Sequence, residues 1–292
     1  MAREGGGIGV ILATYDQPAY LELALLAYSR QSRCPDEIVV ADDGSGSETA
    51  EVVEAMARRT GLPLTHVRHP DRGFRKTTIL NRAIRASVSP YLVFSDGDCL
   101  PGPRFVETHA RLRRPGRYLA GSAVRLGSTV SAAVSPEIVL DGSYATLSWL
   151  RRMGARPRRR VLRFAPRPLG ALMDVLTPTR PTWSGGNASV ARKEILRVNG
   201  FDLELEYGGE DRVFGERLRN AGVKGIQIRH RALVLHLDHA RPYRDPERVQ
   251  RQTRYRKAIQ RSRVVEAEKG LAELPEEEGV TIRRLGLEKE VS

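Results

Sequence analysis

Over the first hundred residues, short unbroken apolar runs alternate with longer stretches in which apolar residues recur at every third or fourth position. Ile8-Gly9-Val10-Ile11-Leu12-Ala13 is such a run, as expected for a parallel strand covered on both faces. Asp16-Gln17-Pro18 follows, offering a capping side chain and a proline suited to a first helical turn, and Leu21, Leu25 and Tyr28 continue at helical spacing. Glu37–Ala41 reads as a second strand that ends abruptly in Asp42-Asp43-Gly44-Ser45. A helix around Glu48–Arg59, a strand at Leu64–Arg68, a helix marked by Thr77, Leu80 and Ile84, and a strand Tyr91–Ser95 complete the series. This alternation predicts an α/β fold built on a mostly parallel central sheet flanked by helices.

Beyond that point the pattern weakens. Residues 126–180 are rich in Gly, Pro and Arg and read as a loop-rich insertion with one helix near Tyr144–Met153. Order resumes at Thr182-Trp183-Ser184-Gly185-Gly186-Asn187, with a helix at about 191–198 and another, carrying Val213, Phe214 and Leu218, that stops at Gly222. Residues 225–239 look like a strand pair ending in His236-Leu237-Asp238-His239, and the tail from Arg241 reads as a charged helix followed by acidic, less ordered sequence. The expected organisation is therefore a ligand-binding α/β half (1–125), an arginine-rich insertion (126–180), a second half of the same domain (181–240) and a charged tail (241–292).

Charge sharpens the picture. Lysine and arginine number 48 against 35 acids, for a net charge of +13. Residues 151–180 hold nine arginines and one acid, Asp174, and residues 241–264 hold nine basic residues and two acids, which leaves the rest of the chain slightly acidic. Two local patches suggest an anionic partner, such as the headgroups of an acidic membrane or a polyanionic substrate. Neither patch carries the interleaved aromatics of a nucleic-acid binder, so no nucleic acid is expected. Two cysteines, Cys34 and Cys99, fit a reducing compartment, and no apolar run suits a signal peptide or a membrane span. A cytoplasmic location, with possible peripheral contact at the inner membrane face, is the expectation.

Parallel sheets bind ligands at the carboxyl ends of their strands. Here those ends are Thr14-Tyr15-Asp16, Asp42-Asp43-Gly44-Ser45 and Asp96-Gly97-Asp98. Two carboxylates one residue apart at a strand end can hold a hard divalent cation and leave positions open for phosphate oxygens, although the same tripeptide is commonly a solvated turn. Asp42-Asp43-Gly44-Ser45 has an ordinary reading as a turn into a helix and a functional one as a nucleotide contact. Glycines precede the first strand instead of following it, so a dinucleotide fingerprint fails on position. Arg75 and Lys76 read either as an exposed basic turn or as charges facing a diphosphate. Gly208-Gly209-Glu210-Asp211 opens a helix, where capping explains one acid but a carboxylate set in a cleft suits deprotonation of a hydroxyl.

Taken together, Val10–Tyr15, the Asp-Asp-Gly-Ser turn, Gly73-Phe74-Arg75-Lys76 with Asn81, and Asp96–Pro101 resemble a family 2 glycosyltransferase of the GT-A fold, nearest to the chondroitin-polymerase-type catalytic module. Ser184–Asn187, Asn199-Gly200-Phe201-Asp202 and Gly208–Asp211 resemble the galactosyltransferase-type carboxyl-terminal segment. The likeness spans about residues 8–240 without the arginine-rich insertion. It implies a carboxyl-terminal acceptor subdomain followed by a helical tail. It also implies that Ala13, Tyr15 and Asp43 contact a uracil-type base, that Arg75, Lys76, Asn81 and Asp96 serve the rest of the donor, and that Asp98 binds Mn²⁺ or Mg²⁺ with His236, or in reserve His239. Asp211 is then the catalytic base, with Glu210, Gly209 and Trp183 at the acceptor. Asp16 stands where many relatives have asparagine, and Tyr207-Gly208 where a tryptophan often precedes the acids.

The activity so implied is inverting sugar transfer from a nucleotide-diphosphate donor, a UDP-sugar, to a saccharide or glycolipid acceptor in cell-surface polysaccharide or glycolipid synthesis. The competing readings are a polyanion- or nucleic-acid-binding protein, motivated by the basic patches, and a metal-dependent nucleotidyltransferase.

Overall fold

A computed structural model describes residues 6–155, 158–205, 209–240 and 246–286. Strands β1 (Ile8–Thr14), β2 (Glu37–Asp42), β3 (Leu64–Arg68) and β4 (Tyr91–Asp96) alternate with helices α1 (Pro18–Ser29), α2 (Ser47–Thr60) and α3 (Lys76–Ala86). Next come β5 (Cys99–Pro101), α4 (Phe105–Leu112), β6 (Arg117–Ala120) and β7 (Val124–Arg125). The segment 126–180 folds into α5 (Ser128–Ala132), α6 (Pro136–Leu140), α7 (Leu147–Arg152) and α8 (Arg167–Leu176), with short 3-10 turns at Ser143–Ala145 and Arg158–Phe164. The chain closes with β8 (Ala188–Ala191), α9 (Arg192–Arg197), α10 (Glu210–Asn220), β9 (Lys224–Gln227), β10 (Val234–His236), α11 (Pro246–Ser262) and β11 (Thr281–Leu285).

Among the described residues the main sheet has the order β11-β3-β2-β1-β4-β8-β6-β9. β3, β2, β1 and β4 are parallel, and β8 enters antiparallel between β4 and β6. The chain winds outward from β1 to β3 and then returns to the other side of β1 as β4. That reversal opens a crevice at the carboxyl ends of β1 and β4, where this class of sheet takes its ligands. A second sheet, β5-β10-β7, packs beside it. The expected strand pair at 225–239 is therefore corrected: β9 extends the main sheet beside β6, whereas β10 belongs to the small one.

Side chains alternate across β1 and β2, as a pleated strand requires. Val10, Leu12, Ile38 and Val40 join one core with Leu21–Tyr28, Val53 and Met56, while Ile11, Ala13, Val39 and Ala41 join another with Ile79, Leu80, Phe201 and Phe214. Helix α1 is apolar nearly all round because it packs between α2 on one side and α6 and β5 on the other. Residues 126–150 differ from the loop-rich expectation. Val130, Val139, Tyr144, Trp149 and Leu150 are buried in the first core, so short helices replace loop. No helix among the described residues is long and apolar enough to cross a membrane.

The tail also departs from the acidic, less ordered reading. β11 pairs antiparallel with the edge strand β3, Ile282 opposite Val67. Upstream of it, Glu277 accepts from Arg75 at 2.9 and 3.1 Å and from Arg82 at 3.1 Å, with Arg72 at 3.4 Å. Burial pushes the Glu277 carboxyl up, but the Arg75 hydrogen bonds and the three guanidinium charges outweigh it and hold it below the usual carboxylate range. Charge, not apolar patterning, ties this part of the chain down, which is why hydropathy alone misses it.

A group whose pKa is depressed on folding adds stability above its unfolded pKa and loses it as pH falls through the folded value. Glu277→Ala is therefore expected to cost about 1.5–3 kcal/mol at neutral pH, from the loss of charge-assisted hydrogen bonds. In urea unfolding the gap between variant and wild type should narrow below the Glu277 pKa. Equal midpoints at pH 7 would refute the clamp.

Candidate active site

The ends of β1, β2 and β4, the start of α10 and the end of β10 converge on a cavity of about 730 Å³. Its floor is fixed by the sheet itself: Ala13 lies in register with Asp96, and the Gly97 N–H donates to the Ala13 carbonyl at 2.7 Å.

At one end the two consecutive acids at the close of β2, Asp42 and Asp43, separate by role. Asp42 is fully buried and holds the turn, its Oδ1 accepting from Gly44 N at 3.2 Å and Ser45 N at 2.8 Å, with His66 Nε2 2.9 Å from Oδ2. Gly44 sits at φ +99, a conformation that side-chain-bearing residues rarely adopt. The turn therefore delivers Asp43, and only Asp43, to the cavity with Ala13, Tyr15 and Ala41. Burial pushes the Asp43 carboxyl up despite its contacts with His69 Nε2 at 2.7 Å and the Arg75 N–H at 3.0 Å. Tyr15 is 41% exposed and donates to Asp71 at 3.2 Å. Asp16 does not cap α1 as expected. It adopts φ +45, accepts from the Gly46 N–H at 2.9 Å and so braces the first loop against the second. Aspartate and asparagine both tolerate this conformation, so Asp16 keeps the local geometry that the expected asparagine would give.

In the middle, Asp98 faces two imidazoles. His239 Nε2 lies 2.8 Å and His236 Nε2 3.5 Å from Asp98 Oδ2, and the rings stack at 5.4 Å. Each Nδ1 lies against the carbonyl of the next residue, His236 on Leu237 O at 2.6 Å and His239 on Ala240 O at 2.8 Å. A carbonyl only accepts, so each Nδ1 carries a proton and each Nε2 turns its lone pair toward the carboxylate unless protonated there. Second-sphere carbonyls orient metal-binding histidines in this way. Asp98 Oδ1 is buried with no hydrogen-bond partner, and one ligand atom from each of the three residues falls within a 4.8 Å span. The donor set of one carboxylate and two imidazoles fits a divalent cation such as Mn²⁺. Burial alone would raise the Asp98 carboxyl, yet the His239 hydrogen bond and the charge of both histidines hold it below the usual range. The reserve ligand, His239, is thus nearer than the first choice, and both histidines belong to the cluster.

Opposite the cluster stand Glu210 and Asp211, at the first turn of α10. The Gly185 N–H donates to Asp211 Oδ2 at 2.8 Å, and a Cβ on Gly185 would come within 2.8 Å of both carboxylate oxygens. Asp211 Oδ1 is buried without a hydrogen-bond partner. Burial, and then the charge of Glu210, push the Asp211 carboxyl up to about 7 against the pull of Lys76. Glu210 accepts from the Gly209 N–H at 2.9 Å. Lys76 bonds Asp96 at 2.7 Å and links the two ends. Burial would lower its pKa, but Asp96, Asp211 and Glu210 raise it well above the ordinary value.

Three expected contacts are corrected. Trp183 is fully buried, edge-on to Phe94 at 5.4 Å and Phe214 at 4.8 Å, so it fills the core and presents no face to a sugar. Asn81 is likewise buried, its amide exchanging hydrogen bonds with the backbone of Phe201 at 2.8 and 2.9 Å. The Arg75 guanidinium turns to Glu277 and the Pro70 carbonyl, leaving only its backbone N–H directed toward Asp43. Tyr207 and Gly208 lie outside the described residues. The cavity also takes Phe74, Ser122, Arg125, Ser184 and Arg212, which no motif had singled out as ligand contacts. Arg125 lies on a two-residue strand in register with His236, too short for any pattern to reveal.

Comparison with known proteins agrees with this geometry. Residues 9–129 match glycosyl transferase family 2. The chain is 27% identical over 238 residues to chondroitin synthase of Escherichia coli, covering 74% of this chain and 32% of that protein. It is 29% identical over 227 residues to validoxylamine A glucosyltransferase of Streptomyces hygroscopicus subsp. limoneus, covering 74% of this chain and 48% of that one. It therefore spans about a third to a half of the length of these relatives. Among solved structures, the mannosyltransferase PcManGT of Pyrobaculum calidifontis, in complex with GDP-Man and Mn²⁺, superposes with a TM-score of 0.57 at 20% identity, over 89% of this chain and 63% of that one. With its reversing parallel sheet and acidic crevice the chain has the GT-A fold, and over residues 9–129 it resembles glycosyl transferase family 2, with likeness to a chondroitin synthase.

Proposed function

We propose that this cavity transfers a sugar from a nucleoside diphosphate to a hydroxyl of a saccharide or glycolipid acceptor, with inversion at the anomeric carbon, in the building of a cell-surface glycan. The observation that carries the reading is one cavity with a cluster suited to a cation, Asp98, His236 and His239, on one side and the raised carboxyl of Asp211 on the other. The base end, with Ala13, Tyr15 and Asp43, supports a uracil-type nucleotide. Asp96 and Lys76 lie between that end and Asp211, suited to the ribose and the diphosphate. A bound Mn²⁺ or Mg²⁺ would supply Lewis-acid neutralisation of the diphosphate oxygens.

The protein's own groups do the rest. Asp211, deprotonated and held by the Gly185 N–H, accepts the proton of the acceptor hydroxyl as its oxygen bonds to the anomeric carbon. The bond from that carbon to the diphosphate breaks on the opposite face, and the nucleoside diphosphate leaves with the electron pair. Glu210 and Arg212 line the acceptor side and orient the incoming sugar, and Lys76 balances the charge of three carboxylates. With one base on the attacking side, and Asp96 and Asp98 paired with Lys76 and with the two histidines, this reading favours inversion. A nucleotidyltransferase would release pyrophosphate instead, which makes product analysis decisive between the two. A purely polyanion-binding role leaves the buried Asp98 cluster without purpose. Peripheral contact with an anionic surface, suggested by the arginine-rich segments, accompanies this reading without being required by it.

Asp98→Ala should abolish Mn²⁺-dependent binding of UDP, followed by calorimetry, together with turnover. Unchanged metal-dependent affinity would refute the ligand assignment. Asp211→Asn should keep donor binding and lower kcat by about 10²–10⁴-fold, the range for a lost general base. Because the base works only when deprotonated, wild-type kcat/KM for the acceptor should fall on the acid side with an apparent pKa near the Asp211 value of about 7, and that limb should vanish in the variant. A flat profile from pH 5 to 8 would contradict the assignment.

The same group makes a stability prediction of opposite sign to that of Glu277. Its pKa is raised on folding, so the charged carboxylate destabilises the native state above about 7, and the penalty disappears once both states are protonated. Asp211→Asn should therefore raise Tm at pH 8, by about 2–4 °C per kcal/mol gained, and leave it unchanged near pH 4. A Tm lowered at pH 8 would show that the carboxylate stabilises the fold.

A further inference from the structure

Helix α8 is amphipathic in the reverse of the usual sense. At about 100° per residue, Gly170 and Asp174 share one face and Leu169, Leu172, Val175 and Leu176 spread over about 120° of the opposite one. The polar face is the one that docks. Asp174 is 6% exposed and accepts from the His230 N–H at 2.9 Å and from Arg231 Nε at 2.7 Å, with His230 Nδ1 at 3.0 Å. Gly170 lies on the His230 carbonyl, where a Cβ would come within 2.6 Å. The apolar face points away from the protein, with Leu169, Leu172, Val175 and Leu176 exposed by 43, 52, 81 and 59%. Leu162, on the preceding 3-10 turn, is exposed by 41%.

A contiguous apolar face of this kind marks a docking surface. Its surroundings decide what docks. Residues 151–180 contain nine arginines, and their single acid is the buried Asp174. Arg151, Arg152 and Arg180 are exposed. An apolar stripe in a segment whose one acid is buried and whose Arg151, Arg152 and Arg180 are exposed matches an anionic bilayer, into whose headgroup–acyl boundary leucine and valine insert while arginines meet the phosphates. We propose that α8 is an in-plane membrane anchor, with Leu169, Leu172, Val175 and Leu176 entering the interface of an anionic lipid bilayer and the flanking arginines binding its headgroups.

The anchor lies close to the active site. Arg163, between the two exposed stretches, donates to the Ser122 carbonyl at 3.1 Å and to its hydroxyl, and Ser122 lines the cavity. Docking through α8 therefore brings that rim toward the bilayer. Where the cavity transfers sugars as proposed above, its acceptor is one presented at a lipid surface.

Sedimentation with vesicles of phosphatidylcholine, alone and mixed with phosphatidylglycerol, tests the anchor independently of activity. Wild type should pellet with the mixed vesicles and not with phosphatidylcholine alone. Leu172→Glu/Val175→Glu, at two exposed positions, should lower binding about tenfold or more with an unchanged circular-dichroism melt and unchanged turnover on a soluble acceptor. Arg151→Gln/Arg152→Gln should weaken it more modestly and flatten its salt dependence. Equal partitioning of wild type and the Leu172/Val175 variant, or equal binding to both vesicle types, would overturn the proposal. So would concentration-dependent self-association, abolished by the same variant, in a protein that ignores vesicles, because the face would then be covered by a second copy. Vesicle binding without any sugar transfer by wild type would leave the anchor standing and sink the transferase reading instead.

Discussion

A carboxylate and two imidazole nitrogens share the middle of the cavity, and electrostatics permits that arrangement only when something positive lies between them. The Nδ1 protons of His236 and His239 are committed to backbone carbonyls, so each Nε2 meets Asp98 either as a protonated ring or across a cation. The surrounding structure serves this constraint. β5 and β10 pair antiparallel, with His236 opposite Cys99, which brings the end of a strand near the carboxyl terminus beside the aspartate that follows β4. The Leu237 N–H donates to the Asp98 carbonyl at 2.9 Å and locks the register. The small sheet is thus the device that brings Asp98, His236 and His239 together from far apart in sequence.

A second balance is held by Lys76. It stands among Asp96, Asp211 and Glu210, which keep it charged, and its presence offsets part of the repulsion that raises Asp211. One ammonium therefore couples the Asp96 and Asp211 sides of the cavity. A carboxyl with a pKa near neutrality can exchange a proton at neutral pH, as the proposed function requires, at a cost in native stability that Gly185 and Lys76 limit. Opposite trends govern the tail, where Glu277 is stabilised by three arginines and fastens the loop whose backbone reaches Asp43.

Legibility followed the physics of each element. The four parallel strands could be read because burial on both faces demands continuous apolar runs, and their polar ends because parallel sheets leave the carboxyl ends of their strands open to ligands. Trp183 could not be resolved from its type alone, since an indole serves a core and a sugar platform equally well, and only its contacts with Phe94 and Phe214 decide. Asn81 and Arg75 misled for the same reason: polar groups near a motif were satisfied by Phe201 and by Glu277, partners far off in the chain. β11, with its Arg283 and Arg284, and the two-residue β7 carry no periodicity to find. Helix α8 lies in the segment that reads as loop-rich, and the outward direction of its apolar face depends on where Asp174 docks.

The direct test is the coordination sphere itself. Electron–nuclear double resonance on the Mn²⁺-loaded protein with UDP bound should detect hyperfine coupling to imidazole nitrogen, with one nitrogen signal lost in each of His236→Gln and His239→Gln. A spectrum with phosphate coupling but no nitrogen coupling in wild type would mean that these histidines are not ligands and that the cation, if held at all, is held elsewhere.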